Sequence, residues 1–307
     1  MTAVKAPKKK KQTGIIATRG EKIFYAINYV IVTLVTLTMV LPLLNIIATS
    51  LSSERAIISD QVGLWPVEFT TYTYEQVLKV TPIVSAMKNT IYLTLVGTVI
   101  SMFCTTCTAY ALSKKRLKGR SIFLGAITFT MIISAGMIPN FILIKNLGLM
   151  NTYWAIWLPS AISTYNMIVL KTFFSGLPDS LEESALIDGA NDLVIFVRIA
   201  LPLSLPSLAT ITLFTAVGYW NTYMAMILYV SKSSMKVLQQ VLHDLLDTVG
   251  SFNNQVMLDS ADVEQQNMAT ESVRSAAIII ATLPIMCVYP FLQKHFTKGV
   301  MIGAIKG

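Results

Sequence analysis

Charged residues are scarce in this 307-residue sequence. Asp, Glu, Lys and Arg together make up 13% of it, whereas a soluble domain has about 25%. Hydrophobic residues make up 54%. One small core cannot bury so much apolar surface, so lipid must solvate much of it. The composition therefore excludes an ordinary soluble protein and predicts an integral membrane protein.

Cysteine and histidine are also scarce, with three and two residues respectively. Cys104 and Cys107 have the C-x-x-C spacing of some metal and redox sites, but neither His nor a further Cys accompanies them. We interpret them as buried thiols that pack like small hydrophobic residues. Neither an H-E-x-x-H nor a P-loop pattern occurs. The sequence therefore predicts neither enzymatic activity nor a metal or cofactor in this chain.

The net charge of +8 is concentrated before the first apolar stretch, in a run of lysines within residues 5–11. A basic cluster in this place is typical of contact with anionic lipid headgroups, so we expect a membrane-lipid partner and no nucleic acid. The apolar stretch that follows is too long for a signal peptide. We therefore predict a basic cytoplasmic tail at residues 1–20 and a membrane domain at residues 21–307.

Six apolar stretches have about the 20-residue length that crosses the hydrocarbon core. They are residues 23–49, 90–112, 122–144, 153–174, 203–230 and 273–292. The predicted fold class is therefore all-α, with six transmembrane helices.

The loops predict the orientation. Residues 114–120, the basic loop, contain five Lys or Arg residues, and the two outer loops at 50–85 and 231–272 lean acidic. Because basic loops stay inside, we expect a multi-pass protein of the plasma membrane with both termini cytoplasmic. A belt of aromatic residues is then expected at or beyond the outer interface, formed by Trp65, Tyr153, Trp154 and Trp157.

The stretch between the fourth and fifth predicted spans, residues 177–206, is unusually charged and is called the hinged segment below. Ser180 followed by Glu183 fits a capping box, and Gly189 fits the residue after a helix end. Asn191 or Asp192 can cap a second helix, which is expected to run until Pro202 interrupts it. These signals predict two short helices with a hinge. An amphipathic hairpin that merely links two spans would show the same periodicity.

The hinged segment also matches a family pattern. Glu183-Ser184-Ala185, then Gly189, then Ile199-x-Leu201-Pro202 resembles the EAA loop of ABC importer permeases. The longer string 182–190 is similar to the version in carbohydrate-importer permeases of the maltose-transporter type. Ser184 departs from the usual Ala, but it is small as well.

The resemblance extends over nearly the whole chain from about Glu21. Gly218-Tyr-Trp-Asn221 is similar to the family's Trp-Asn pair, and the Lys306-Gly307 terminus is similar to the family's tail. Within the family, the sequence most resembles the oligosaccharide and polysaccharide branch of Gram-positive bacteria.

The resemblance implies a set of partners. These are a second permease subunit, ABC ATPase subunits that bind ATP and Mg²⁺, an extracellular solute-binding lipoprotein and a carbohydrate substrate. It also implies that the hinged segment docks in an ATPase cleft. Glu183 would bond to the ATPase, Gly189 would supply the bend, and Leu181, Ala185 and Ile187 would fill the cleft. The full set of implied ATPase-coupling residues is Glu182, Glu183, Ala185, Asp188, Gly189 and Ala190.

A sugar path needs polar and aromatic side chains within the membrane, where unpartnered polar groups are costly and often functional. The candidates are Thr164 and Asn166 on the fourth span, and Tyr219, Trp220, Asn221 and Tyr223 on the fifth. Such residues also join helices to one another, and the resemblance allows the partner permease to make most sugar contacts. The function expected is therefore that of a permease subunit of an ATP-driven carbohydrate importer. The alternatives are an ABC permease for another solute, a secondary transporter and a membrane scaffold.

Overall fold

The computed structural model describes residues 18–255 and 271–287, and they are helical with no strand among them. Predictions about the lysine tail, the end of the second outer loop, the last part of the sixth span and the C-terminal Lys-Gly lie outside the described residues. The helices are α1 (Arg19–Ser50), α2 (Glu54–Ile58), α3 (Tyr72–Val80), α4 (Ile83–Ser113), α5 (Arg120–Ile132), α6 (Met137–Asn146), α7 (Trp154–Trp157), α8 (Thr164–Ser175), α9 (Asp179–Ile187), α10 (Asp192–Ile195), α11 (Leu201–Leu203), α12 (Leu205–Trp220), α13 (Met224–Tyr229), α14 (Leu238–Gln255) and α15 (271–287).

Two helices, α1 and α4, are long and apolar enough to cross a bilayer as single rods. The first of them begins with the capping box that Thr18 and Glu21 form. Its most apolar stretch buries nothing against the rest of the chain, so this stretch exposes its side chains all round, whereas Ala48, Thr49 and Ser50 at the end of the helix are buried. By contrast, α4 packs along both α8 and α12 and forms the centre of the molecule.

The third, fourth and fifth predicted spans are broken. The third is a pair of helices, α5 and α6, bent by 117° at a break that contains Gly136, whose φ is +84°. The fourth consists of α7 and α8 with an irregular stretch between them, and the fifth consists of α12 and α13. A second bent pair consists of residues 192–203 and α12, at an angle of 81°. Among the residues the structure covers, up to four spans are present by length and composition if each bent pair counts as one.

The predicted outer loops contain helices. The largest is α14, which lies within the predicted loop 231–272. Its apolar residues Leu238 and Val241 are buried with Trp220 and with Ala276 and Ala277 of α15. Hydropathy missed this helix because only one face is apolar, as expected of a helix that packs on a protein surface.

The tryptophans of the predicted aromatic belt differ in their exposure. Trp65 and Trp154 are exposed, but Trp157 is 4% exposed. Its indole Nε1 donates a hydrogen bond of 3.1 Å to the carbonyl oxygen of Leu93. A buried indole needs such a partner, so Trp157 joins α7 to α4 and is not part of an exposed aromatic surface.

Candidate functional site

The hinged segment begins with α9, whose first residue is Asp179. The preceding Pro178 occupies the N-cap, and no side chain caps the helix there. The predicted capping box of Ser180 and Glu183 is therefore wrong, because Ser180 already lies inside the first turn. The acidic residues of that turn instead interact favourably with the positive end of the helix dipole.

The end of α9 is as the sequence predicted. Gly189 has φ +81°, a conformation that costs Gly nothing. Its N–H donates to the carbonyl of Leu186 at 3.0 Å, and the Ala190 N–H donates to the carbonyl of Ala185 at 2.9 Å. These two bonds form a Schellman motif, which ends the helix and turns the chain.

The second helical run begins at Asn191, whose side chain accepts a hydrogen bond from the Val194 N–H at 2.9 Å. After α10 the chain forms a π-helical turn, Phe196–Ala200, and then α11. Pro202 does not end the run as predicted. Proline lacks an N–H and clashes with the carbonyl four residues earlier in an α-helix. The π-helical turn before Pro202 is wider than an α-helical turn, so it accommodates the missing hydrogen bond and the proline ring. The run instead bends by 81° into α12, at Ser204.

Four charged side chains connect the basic loop to the hinged segment, and we call them the ion cluster. Lys114 and Arg116 both pair with Glu182, Arg116 at 3.0 Å. Arg116 also pairs with Asp192 at the start of α10. The ion cluster therefore contacts the helices on both sides of the hinge. From the sequence, the basic loop predicted only the topology, although its charge is opposite to that of α9.

The predicted coupling residues divide between the two faces of α9. Ala185 is buried and Glu182 lies in the ion cluster, so both face the chain itself. Glu183 and Asp188 are exposed, as is Ile187, at 86%. Gly189 is also exposed, Ala190 is half-buried, and Leu181 is partly exposed. The outward face thus presents an acidic group beside apolar side chains, which suits a protein partner.

Beside this face lies a cavity of about 400 Å³ between the basic loop, the end of α8 and α9. Its charged lining includes Lys171, Arg120 and Glu183. Arg120 is held in place because its Nε donates to the carbonyl of Leu112 at 2.8 Å.

The proposed substrate residues do not form one surface. Tyr219 is 4% exposed, and its hydroxyl lies 2.8 Å from that of Ser101. Trp220 is buried against α14 and α15. Asn166 is buried, and its amide nitrogen donates to the Thr215 hydroxyl at 3.4 Å. These three side chains occupy helix contacts in this conformation.

The other three substrate candidates are more accessible. Thr164 is half-buried at the start of α8, and Asn221 is exposed. Asn221 accepts a hydrogen bond of 3.2 Å from the Gln239 amide. The Tyr223 ring stacks on that of His243 with centroids 4.6 Å apart. The two residues and their partners therefore form a polar and aromatic surface where α12 and α13 meet α14.

Comparisons with known proteins identify the family. A family model described as "Binding-protein-dependent transport system inner membrane component" matches residues 13–302. The polygalacturonan/rhamnogalacturonan transport system permease protein YtcP of Bacillus subtilis (strain 168) is 40% identical over 287 residues, 93% of this chain and 99% of YtcP. Protein LplC of the same organism is 41% identical over 292 residues, 94% of this chain and 97% of LplC.

A solved structure is similar as well. It is a bacterial ABC transporter involved in the import of the acidic polysaccharide alginate. One of its chains is 33% identical, with a TM-score of 0.80, over 92% of this chain and 99% of that one. The sequence match, the shared fold and the nearly complete coverage agree. This chain therefore belongs to the family of inner membrane components of binding-protein-dependent transport systems.

Proposed function

We propose that this chain is a permease subunit of an ATP-driven importer for carbohydrates, with oligosaccharides as substrates. The support comes from relatives whose names state carbohydrate transport. They include YtcP, the arabinooligosaccharide permease AraQ of Bacillus subtilis at 28% identity and the alginate importer. Because YtcP and the alginate importer both handle acidic polysaccharides by name, fragments of uronic-acid polymers are the first substrates to test.

The observation that carries the proposal is the two-sided arrangement of α9. One face is fixed to the basic loop through Glu182, and the other exposes Glu183 and Ile187. In the proposed mechanism this outward face binds in a cleft of an ATPase subunit, which supplies ATP and Mg²⁺. ATP favours one global state of the ATPase, and docking lets the permease helices respond to that preference.

The proposed topology has six spans, with both termini and the hinged segment cytoplasmic. Single helices account for the first two spans, broken helices for the next three, and α15 for most of the sixth. Broken spans are tolerated where protein or a water-filled path satisfies the free backbone groups. A Gram-positive plasma membrane agrees with the Bacillus relatives.

The proposed assembly contains a second permease, two ATPase subunits and an extracellular solute-binding lipoprotein. The exposed apolar surface of α1 would contact lipid and the second permease. The solute path in this subunit would use Asn221 and Tyr223, the most accessible of the polar candidates, with Thr164 near the start of α8. The buried candidates are Asn166, Tyr219 and Trp220. They would instead stabilise the contacts between the helices that surround the path.

Reconstitution tests the proposal. The chain is co-expressed with its neighbouring transport subunits, purified as an assembly and placed in liposomes. Adding the binding protein with oligogalacturonides should stimulate ATP hydrolysis and uptake. Stimulation by another class of solute alone would contradict the carbohydrate assignment. Gradient-driven uptake without an ATPase would identify a secondary transporter, and an assembly without any flux would indicate a scaffold.

A further inference from the structure

We propose that Glu182 is a positioning residue that holds the hinged segment on the end of α4. The segment and α4 then move together when an ATPase displaces the segment. This inference rests on the proposed coupling function. It adds a second connection through which a displacement of the hinged segment reaches the membrane helices. The first connection is covalent, because the segment continues through the bend at Ser204 into α12. The second is the ion cluster, which joins the segment to α4.

The geometry gives Glu182 two partners at one helix end. Lys114 is the residue that ends α4, and its ammonium pairs with Glu182 Oε2. Arg116 Nη2 lies 3.0 Å from Glu182 Oε1 and also pairs with Asp192. Asp192 begins the helical run after Gly189, so the cluster fixes both sides of the hinge to the same point.

Burial separates this contact from an ordinary surface ion pair. The side chains of Lys114 and Glu182 are 20% and 22% exposed. The neighbouring pair of Lys115 and Asp179 is almost fully exposed, and its N···O distance is 3.9 Å. Exposed pairs contribute little, whereas removing one partner from a shielded pair leaves a charge with poor solvation. Losing the Glu182 carboxylate would therefore release both cations of the cluster from α9.

Aromatic rings pack next to the ion cluster. The Lys114 ammonium lies 4.6 Å from the centroid of the Tyr110 ring. That ring packs against Phe196 of the π-helical turn at 4.6 Å and against Phe174 of α8 at 5.6 Å, both between centroids. The ionic and aromatic contacts together attach α8 and the hinged segment to the last two turns of α4. Because α4 also packs along α12, its displacement reaches the centre of the bundle.

The experiment compares Glu182→Gln with Asp179→Asn, which removes a carboxylate from the same helix but from the exposed pair. Both changes are made in an assembly whose native cysteines are replaced and which carries Tyr223→Cys as a reporter. The rate at which a thiol reagent labels this reporter cysteine is measured with and without ATP and vanadate. The readout is the difference between the two rates, called the labelling change. We expect Glu182→Gln to reduce that change by about fivefold or more, the lower range of a coupling free energy. Asp179→Asn should leave the labelling change, the bound ATPase subunits and the basal hydrolysis intact. The labelling change in Glu182→Gln is compared at an equal amount of bound ATPase.

Cross-linking provides a rescue that a purely structural role of Glu182 would not give. In an assembly without the reporter cysteine, Lys114→Cys with Glu182→Cys should lower substrate uptake per ATP hydrolysed, and a short bifunctional maleimide between the two thiols should restore it. A labelling change of wild-type size in Glu182→Gln would overturn this inference and leave the proposed function standing. A cross-link that restores nothing would do the same. A wild-type assembly that contains no ATPase would overturn this inference together with the proposed function.

Discussion

The hydroxyl of Tyr219 on α12 lies 2.8 Å from the hydroxyl of Ser101 on α4. The Ser101 hydroxyl also donates to the carbonyl of Ser160 at 2.8 Å. This buried contact joins both helices to the irregular stretch between α7 and α8. It explains why Tyr219, a polar residue in an apolar helix, contributes to packing within the bundle.

Tyr219→Phe should destabilise the protein without changing its affinity for substrate. The variant leaves Ser101 without one partner, and losing a buried hydrogen bond costs about 1 kcal/mol. Thermal unfolding in detergent measures the effect, and the sugar concentration for half-maximal ATPase stimulation should stay constant. Tyr223→Phe serves as the comparison, since its side chain is accessible. An increase in that concentration for Tyr219→Phe alone would place the hydroxyl in the solute path.

Gly97→Ala should also destabilise the contact between α4 and α12. A Cβ atom at Gly97 would lie 2.8 Å from the Tyr219 ring and 2.9 Å from Trp157 Cδ1. Both rings are buried, and overpacking of this kind costs about 1–3 kcal/mol. The matched control is Gly125→Ala, because a Cβ there meets nothing within 4 Å. An unchanged unfolding temperature in Gly97→Ala would contradict the close packing of these helices.

Glu183→Lys should impair docking of the ATPase without unfolding the permease. The Glu183 side chain is exposed on the outward face of α9, where a docked partner would meet its charge. Juxtaposed like charges cost several kcal/mol, so we expect ATPase co-purification to fall about tenfold or more. Glu54→Lys makes the same change on an exposed residue of the predicted outer side. Wild-type transport in the Glu183 variant would refute the coupling assignment.

Gly189→Pro and Gly189→Asn should differ in their effects on transport. Proline cannot adopt φ +81° and removes the N–H that bonds to Leu186, so the Schellman motif is lost. Asparagine tolerates the left-handed region, with a cost of about 1 kcal/mol. Uptake per ATP hydrolysed should therefore decrease strongly in the proline variant and little in the asparagine variant. Equal behaviour of the two would show that the hinge geometry is unimportant.

Lys118→Cys should react with a membrane-impermeant thiol reagent only after the cells are opened. The basic loop that contains it is predicted to be cytoplasmic because positive loops are retained inside. Asp60→Cys, in the predicted outer loop, should react in intact cells. Reaction of Lys118→Cys from outside would reverse the proposed orientation.

The hinged segment illustrates what could be predicted from local sequence. The left-handed Gly189 and the Asn191 cap are set by residues close to them in the chain, and both lie where predicted. The predicted capping box at Ser180 was wrong because the helix has its N-cap at Pro178, two residues earlier than the motif suggested. The predicted end of the second helix at Pro202 was wrong as well, because the π-helical turn before this proline lets the helical run continue to Leu203.

The amino-acid sequence by itself determined the membrane class, the family and the hinge, since composition, motif and turn chemistry are local properties. Only the tertiary structure decided which charges meet. Lys114 and Glu182 are 68 residues apart in sequence, and Arg116 and Asp192 are 76 apart. The burial of Trp157 and the packing of α14 likewise depend on helices distant in the chain. Such contacts form only when the end of α4 and the hinged segment are brought together by the packing of α4 with α8 and α12.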